Sequence, residues 1–281
     1  MTTATPRQNL PDTTARYLDL LRSTLTFSLW DGGDGNIWEP HGSARRIVAR
    51  TIQRRGMEIV RRTPPEVRGD GRDWPRLAHT MTGERRMRNL QECVEQVLRD
   101  DVPGDLIETG VWRGGACILM RGVLAAYGAT DRTVWVADSF AGLPAPDPRY
   151  AADANDRHHE QTALAVSVDQ VRDNFRRYGL LDEQVRFLPG WFRDTLPDAP
   201  IESLAVLRLD GDMYESTIEA LEALYARLSP GGFCIVDDYG AVPGCRAAVD
   251  DYRAANGIRE PIIDVDWTGV YWRRDGAPGR S

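Results

Sequence analysis

Apolar positions recur at helical spacing over the first hundred residues and change to short continuous runs after Pro103. Tyr17, Leu18, Leu21 and Leu25 fall on one helical face. Ser43 is placed to cap a second helix running through Ile47, Ile52 and Ile59. A third helix fits residues 84–98, with Met87, Leu90, Val94 and Leu98 on one side. Stretches 31–42 and 63–74 are rich in Gly, Asp and Pro and read as loops. The polar ends, 1–10 and 276–281, read as frayed.

Beyond Pro103, apolar runs at 105–111, 133–137, 184–188, 204–209 and 233–236 alternate with helical stretches, the signature of a parallel sheet with crossover helices. Two more runs, 262–266 and 270–273, are separated only by Trp267, Thr268 and Gly269. That gap is too short for a helical crossover and predicts an antiparallel hairpin. The expectation is an α/β protein with a Rossmann-like sheet of seven strands, mostly parallel and ending in a hairpin, preceded by a helical region. The boundary falls near residue 100: a helical lid or oligomerisation region over 1–100 and a cofactor-binding domain over 101–276.

The chain has 281 residues, 42% of them hydrophobic, enough for a sizeable core. A formal charge of −7 and a pI near 5.2 argue against a nucleic-acid surface. Every strongly basic residue is Arg, so no lysine is available as a Schiff-base or general-base group. Cys93, Cys117, Cys234 and Cys245 show no CxxC spacing and read as reduced core residues. No signal peptide opens the chain, and no apolar run approaches the roughly 18 residues of a membrane span. The expectation is a soluble cytoplasmic protein.

The first strand runs into Glu108-Thr109-Gly110-Val111-Trp112-Arg113-Gly114-Gly115 and then a helix. Glycines at such a turn allow a ligand close to the backbone, and the helix start offers free N–H groups. The segment lacks the G-x-G-x-x-G of dinucleotide binding. Glu108 would repel a pyrophosphate, and it suits a cofactor with a cationic amino-acid tail. Asp138 ends the second strand, where an acid commonly accepts hydrogen bonds from ribose hydroxyls. It opens the compact turn Ser139-Phe140-Ala141-Gly142-Leu143-Pro144. After the third strand, Gly190 and Trp191 offer an aromatic surface for an adenine, with core packing of Trp191 as the alternative.

Strand four ends in Asp210-Gly211-Asp212 and strand five in Asp237-Asp238. Strand C-termini of a parallel sheet share one edge, so four carboxylates converge there. Such a cluster is costly unless a cation neutralises it or a member stays protonated. Asp210, Asp237 and Asp238 offer hard oxygen ligands suited to Mg²⁺ or a similar cation. Asp212 is the candidate base for an alcohol proton, with support of a metal ligand as its alternative role. The adjacent His158 and His159, in the stretch 145–161, read as solvated loop side chains. Contact with an acceptor, or service as the base, is their alternative.

With these residues in view, the chain resembles the macrocin O-methyltransferase family. The motifs are Thr80-Met81-Thr82-Gly83, the Glu108–Gly115 turn, the Asp138–Pro144 turn, Leu209-Asp210-Gly211-Asp212-Met213-Tyr214-Glu215-Ser216 and Val236-Asp237-Asp238-Tyr239, and the likeness spans about 17–273. The resemblance implies a class I methyltransferase fold and S-adenosylmethionine bound by Glu108, Thr109, Gly110, Arg113, Gly114, Asp138, Ser139, Gly190 and Trp191, with Thr80 and Met81 covering it. It implies Mg²⁺ on Asp210, Asp237 and Asp238, catalysis by Asp212 with Asp210, and a helical lid shared in a homodimer or larger homo-oligomer. The expected acceptor is a small-molecule glycoside, methylated on a deoxysugar hydroxyl, with no nucleic-acid or membrane partner. Two alternatives are a catechol-type O-methyltransferase and a non-catalytic scaffold that keeps the cofactor fold.

Overall fold

The computed structural model describes residues 13–30, 34–38 and 42–275. The ends expected to fray lie outside the described residues, as do 31–33 and 39–41 of the first expected loop. The N-terminal third runs through α1 (Thr13–Leu25), β1 (Gly35–Ile37), α2 (Ser43–Gln53), β2 (Val60–Arg62), α3 (Pro65–Gly69) and α4 (Glu84–Arg99).

Several details differ from the sequence expectation. β1 and β2 form a small antiparallel pair, with Gly35 opposite Arg62 and Ile37 opposite Val60. Three residues give no alternation to read, and Gly and Asn are poor strand formers. Within the expected loop 63–74, Pro65 sits at the first position of the short helix α3, where its missing N–H and fixed φ are no handicap. Ser43 is the first residue of α2 and not its cap. Gly42 takes the cap position at φ +97°, with no side-chain bond to the helix start, and α2 ends before Ile59. α4 follows its pattern, with Met87, Leu90 and Val94 fully buried.

From Asp105 onward, strands and helices alternate as β3 (Asp105–Thr109), α5 (Gly115–Ala126), β4 (Val134–Asp138), α6 (Val168–Arg177), β5 (Val185–Pro189), α7 (Phe192–Thr195), β6 (Leu204–Leu209), α8 (Tyr214–Leu224), β7 (Leu228–Val236), α9 (Pro243–Ala255), β8 (Ile263–Asp264) and β9 (Val270–Arg273). One seven-stranded sheet forms in the order β5-β4-β3-β6-β7-β9-β8. Its first five strands are parallel, and β9 and β8 run antiparallel. The fold is therefore the expected α/β class. β7 begins five residues earlier than the apolar run, through Pro230, Gly231 and Gly232, and only 263–264 of the expected 262–266 strand pair.

Alternation along the strands divides the core between the two faces. Leu106, Val134, Val136, Phe233 and Ile235 pack with α1, α4, α5 and α6. Ile107, Trp135, Ala137, Cys234 and Val236 pack with α8 and α9. All four cysteines are buried and free. No helix among the described residues is long and apolar enough to cross a membrane.

The strand order reverses between β3 and β6, which opens a crevice at their carboxyl ends. Gly110 and Asp210 meet there. Asp210 N donates to Thr109 O (2.9 Å) and Asp237 N to Leu209 O (2.9 Å), so the three loops leave the sheet in register. Gly110 has φ +87°, and a Cβ on it would lie 1.8 Å from Asp210 O. No side chain fits this turn. Gly110→Ala is expected to cost about 2–5 kcal/mol of stability, from backbone strain plus overpacking. A urea titration giving a wild-type midpoint would refute this account of the turn.

Candidate active site

The crevice opens into a cleft of about 450 Å³ over the carboxyl ends of β3, β4, β5, β6 and β7. Thr80, Met81, Glu108, Gly110, Asp138, Ser139, Gly190, Trp191, Asp210, Asp212, Asp237 and Asp238 all line it. Thr109, Arg113 and Gly114 do not, and each supports the wall from behind. The Thr109 hydroxyl bonds Arg208 O (3.4 Å). Arg113 stacks on Trp112 and donates to the carbonyls of Arg76 (2.9 Å) and Ala78 (2.8 Å). Gly114 takes the cap position before α5 at φ +84°, close against Val171.

At the β4 end, Asp138 accepts main-chain N–H groups from Val111 and Phe140, both at 2.7 Å. Burial pushes its carboxyl up, opposed by these bonds. Ser139 bonds Gly142 O (2.6 Å) and closes the turn. Gly190 N donates to Asp138 O (2.9 Å), which places Trp191 beside it. Thr80 accepts from Thr82 N (3.0 Å), and Gly115 N donates to His79 O (3.0 Å), so the 79–82 segment lies across the start of α5.

At the β6 and β7 ends, the carboxylates converge as expected, but two buried arginines stand among them. Arg208, inside β6, pairs with Glu108, with Asp210 (2.6 Å) and with Asp237, and donates to the Thr82 hydroxyl (3.0 Å). Arg86, from α4, pairs with Asp237 and with Asp266 (3.0 Å). Glu108 commits its second oxygen to the Cys117 thiol (2.9 Å). The sequence reading leaves Glu108 facing a ligand cation, and the structure supplies one from within the chain. An arginine inside the apolar run of β6 is the signal that could have found Arg208. Nothing marks Arg86.

Asp210, Asp237 and Asp238 each offer a carboxylate oxygen, and the three lie within 4.8 Å of one another. Two guanidiniums face six carboxylates here, counting Glu108, Asp212 and Asp266. Burial, with the neighbouring charges added, pushes Asp210 up and Asp238 far up. Burial and then Asp210 raise Asp212 to about 7, and burial raises Glu108 to about 7 against the pull of Arg208. Hard oxygen donors with unneutralised charge fit a divalent cation. Asp212 sits in the left-handed region at φ +57°, its N–H on Asp238 (3.3 Å).

The structure separates the two histidines. His159 is exposed, while His158 lines the cleft with Asp156, which accepts from its Nδ1 (2.7 Å). Burial pulls the His158 ring down, but Asp212 and Asp156 outweigh it, and the net shift is upward.

Comparisons with known proteins give the family and the fold. A family model described as macrocin-O-methyltransferase (TylF) matches residues 14–274. The chain is 62% identical over 213 residues, 75% of its length and 81% of the relative's, to the 8-demethyl-8-(2,3-dimethoxy-alpha-L-rhamnosyl)-tetracenomycin-C 4'-O-methyltransferase of Streptomyces olivaceus. It is 57% identical, over 74% of its length and 84% of the relative's, to the mycinamicin III 3''-O-methyltransferase of Micromonospora griseorubida. Among solved structures, the O-methyltransferase NovP superposes with a TM-score of 0.83 at 49% identity, covering 94% of this chain and all of that one.

The raised carboxyls carry a pH signature. Between about pH 4 and 7, folded Glu108 and Asp212 hold protons that free side chains have released. The folded state then binds more protons than the unfolded state, so their contribution to stability falls as pH rises through this window. In metal-free buffer, Asp212→Asn should therefore lose less stability than wild type between about pH 5 and 8. Parallel urea midpoints for the two proteins across this range would contradict the assignment.

Proposed function

The chain belongs to the macrocin-O-methyltransferase family and is an O-methyltransferase, and from that premise we propose that it methylates a hydroxyl of a sugar carried on a small natural product, with the help of a divalent cation. The observation that carries this reading is the meeting, in one cleft, of the Gly110 turn and Asp138 with Asp210, Asp212, Asp237 and Asp238. The rhamnosyl acceptor in the name of one relative supports a sugar.

In this reading, Asp138 accepts the ribose hydroxyls of S-adenosylmethionine through the lone pairs its main-chain donors leave free. The Gly110 backbone lets the amino-acid tail approach. Gly190 and Trp191 flank the base, and Thr80 and Met81 close over it, with Thr109, Arg113, Gly114 and Ser139 holding those contacts in place. Asp210, Asp237 and Asp238 would hold Mg²⁺ or a similar cation, which supplies Lewis acidity and orients substrate oxygens. Asp212 takes the acceptor hydroxyl's proton as the oxygen accepts the methyl group, and its raised pKa suits that duty near neutral pH.

The division near residue 100 belongs to the same proposal: 1–100 as lid and oligomer contact, 101–276 as cofactor domain. Ile47 and Val48 of α2 are 65% and 56% exposed, which supports a homo-oligomer through this region. The expected setting is the cytoplasm.

Two measurements test the chemistry. A mass-spectrometric assay on mycinamicin III, the rhamnosyl tetracenomycin and demethyldecarbamoylnovobiocin, the last named for an O-methyltransferase of Streptomyces niveus 60% identical to this chain, should show gain of one methyl group. That activity should vanish in EDTA and return with Mg²⁺, and full turnover in chelator would eliminate the cation. For the base, Asp212→Asn should cut kcat by about 10²–10⁴-fold with cofactor affinity intact. If excess Mg²⁺ restores its rate, Asp212 serves the metal and not the proton.

A further inference from the structure

The segment between β4 and α6 is built into the wall of the cleft near Asp212. Asp153 is buried, and its carboxylate accepts the N–H groups of Tyr214 (2.7 Å) and Glu215 (2.9 Å), the first two residues of α8. An anion on a helix start is a favourable contact in charge and hydrogen bonding alike. It ties the segment to the helix that follows Asp210 and Asp212. Three residues on, Asp156 accepts from both the main-chain N (2.8 Å) and the Nδ1 (2.7 Å) of His158. The imidazole is thus fixed at its backbone and at one ring nitrogen, and it lines the cleft in company with Asp212. Its neighbour His159 is exposed and does not line the cleft.

A turn stabilised for its own sake would not need a ring directed into the cleft. The chemistry of the acceptor gives that ring a use. A sugar presents hydroxyls that both donate and accept, whereas Asp210, Asp237 and Asp238 are acceptors alone once a cation holds them ionised. An imidazole held through Nδ1 keeps Nε2 for a second partner, as donor or acceptor according to its protonation.

We propose that His158 is an acceptor-binding residue whose Nε2 hydrogen-bonds a sugar oxygen beside the hydroxyl that is methylated, with Asp156 as the residue that positions the ring. This rests on the glycoside reading above. It assigns to His158 the choice of which hydroxyl faces Asp212.

The test uses full-length enzyme with saturating S-adenosylmethionine and Mg²⁺, and the same three acceptors. His158→Ala should raise the KM of the accepted glycoside about 10-fold, the scale of one lost hydrogen bond, with a smaller change in kcat. His158→Gln, which keeps a side-chain donor, should recover most of that loss, and Asp156→Asn should fall between the two. Methylation should also spread to a neighbouring hydroxyl in His158→Ala, read by NMR of the product. Calorimetric affinity for S-adenosylmethionine should stay at the wild-type value in all three variants. Its loss in all of them would make His158 a scaffold residue and overturn the inference. Unchanged KM and product in His158→Ala would overturn it equally. A collapse of kcat at constant KM, shared by the Ala and Gln variants, would mean that the ring moves the proton and does not bind the sugar. Wild-type enzyme inactive on all three acceptors would sink the glycoside reading itself, and the inference with it.

Discussion

The site depends on one guanidinium. Arg208 is 2% exposed, within a strand whose other side chains are all apolar and buried. An unpaired charge at that depth would cost several kcal/mol. It is held because three strand ends bring it carboxylates: Glu108 from β3, Asp210 from β6 and Asp237 from beyond β7. The planar fork of arginine, with five N–H donors, can serve all of them at once, which the compact ammonium of lysine could not. The pairing also constrains the sheet, because the edge where ligands bind is fixed by side chains as well as by the ladder. Its fourth contact, to the Thr82 hydroxyl, carries the constraint into the wall that closes the cleft.

That wall shows why the cleft is not a property of the sheet alone. Arg68 donates to the carbonyls of Met81 (2.8 Å) and Thr82 (2.9 Å) from behind. Arg86 reaches from α4 to Asp237 and to Asp266 of the C-terminal hairpin region. Trp267 donates to Asp70 O (2.8 Å), with Arg72 stacked on its ring at 4.3 Å. The N-terminal and C-terminal parts of the chain therefore close on the same carboxylates.

What could be read from sequence follows from the range of each interaction. β3, β4, β6 and β7 are buried on both faces and so appear as apolar runs. The glycine turn at Gly110 and the aspartates at 138, 210, 212, 237 and 238 stand at run ends, where local pattern marks them. β1, β2 and α3 escape because three to five residues carry no period. Arg86, Asp153 and Asp156 escape for another reason. Nothing local tells that Asp153 will meet a helix start 61 residues later, or that Arg86 will meet Asp237. Buried charge is legible only with its partner, and these partners are distant in sequence. The same holds for His158, whose surroundings in the chain suggest an open loop and which the fold places, half-buried, in the lining of the cleft.

The two ends of the cleft differ in how firmly their charge is held. Asp138 is held by a main-chain donor on each of its oxygens, with lone pairs to spare, and its surroundings have little reason to change when a ligand arrives. Among the described residues no arginine forms an ion pair with Asp212 or Asp238, the pull of Arg86 on Asp238 is outweighed, and burial raises both carboxyls. Their charge responds to what enters. Transfer of a methyl group from a sulfonium to a neutral hydroxyl removes one positive charge from the cofactor and releases one proton. A rigidly ionised cluster would then face a neutral cofactor with its repulsion newly uncompensated. A cluster that contains a carboxyl poised near neutrality can bind the released proton at the moment the sulfonium charge disappears. On the proposed reading, the incomplete neutralisation by Arg86 and Arg208 is therefore part of how the site works: more arginine would hold the carboxylates ionised, and less would leave them protonated before the acceptor arrived.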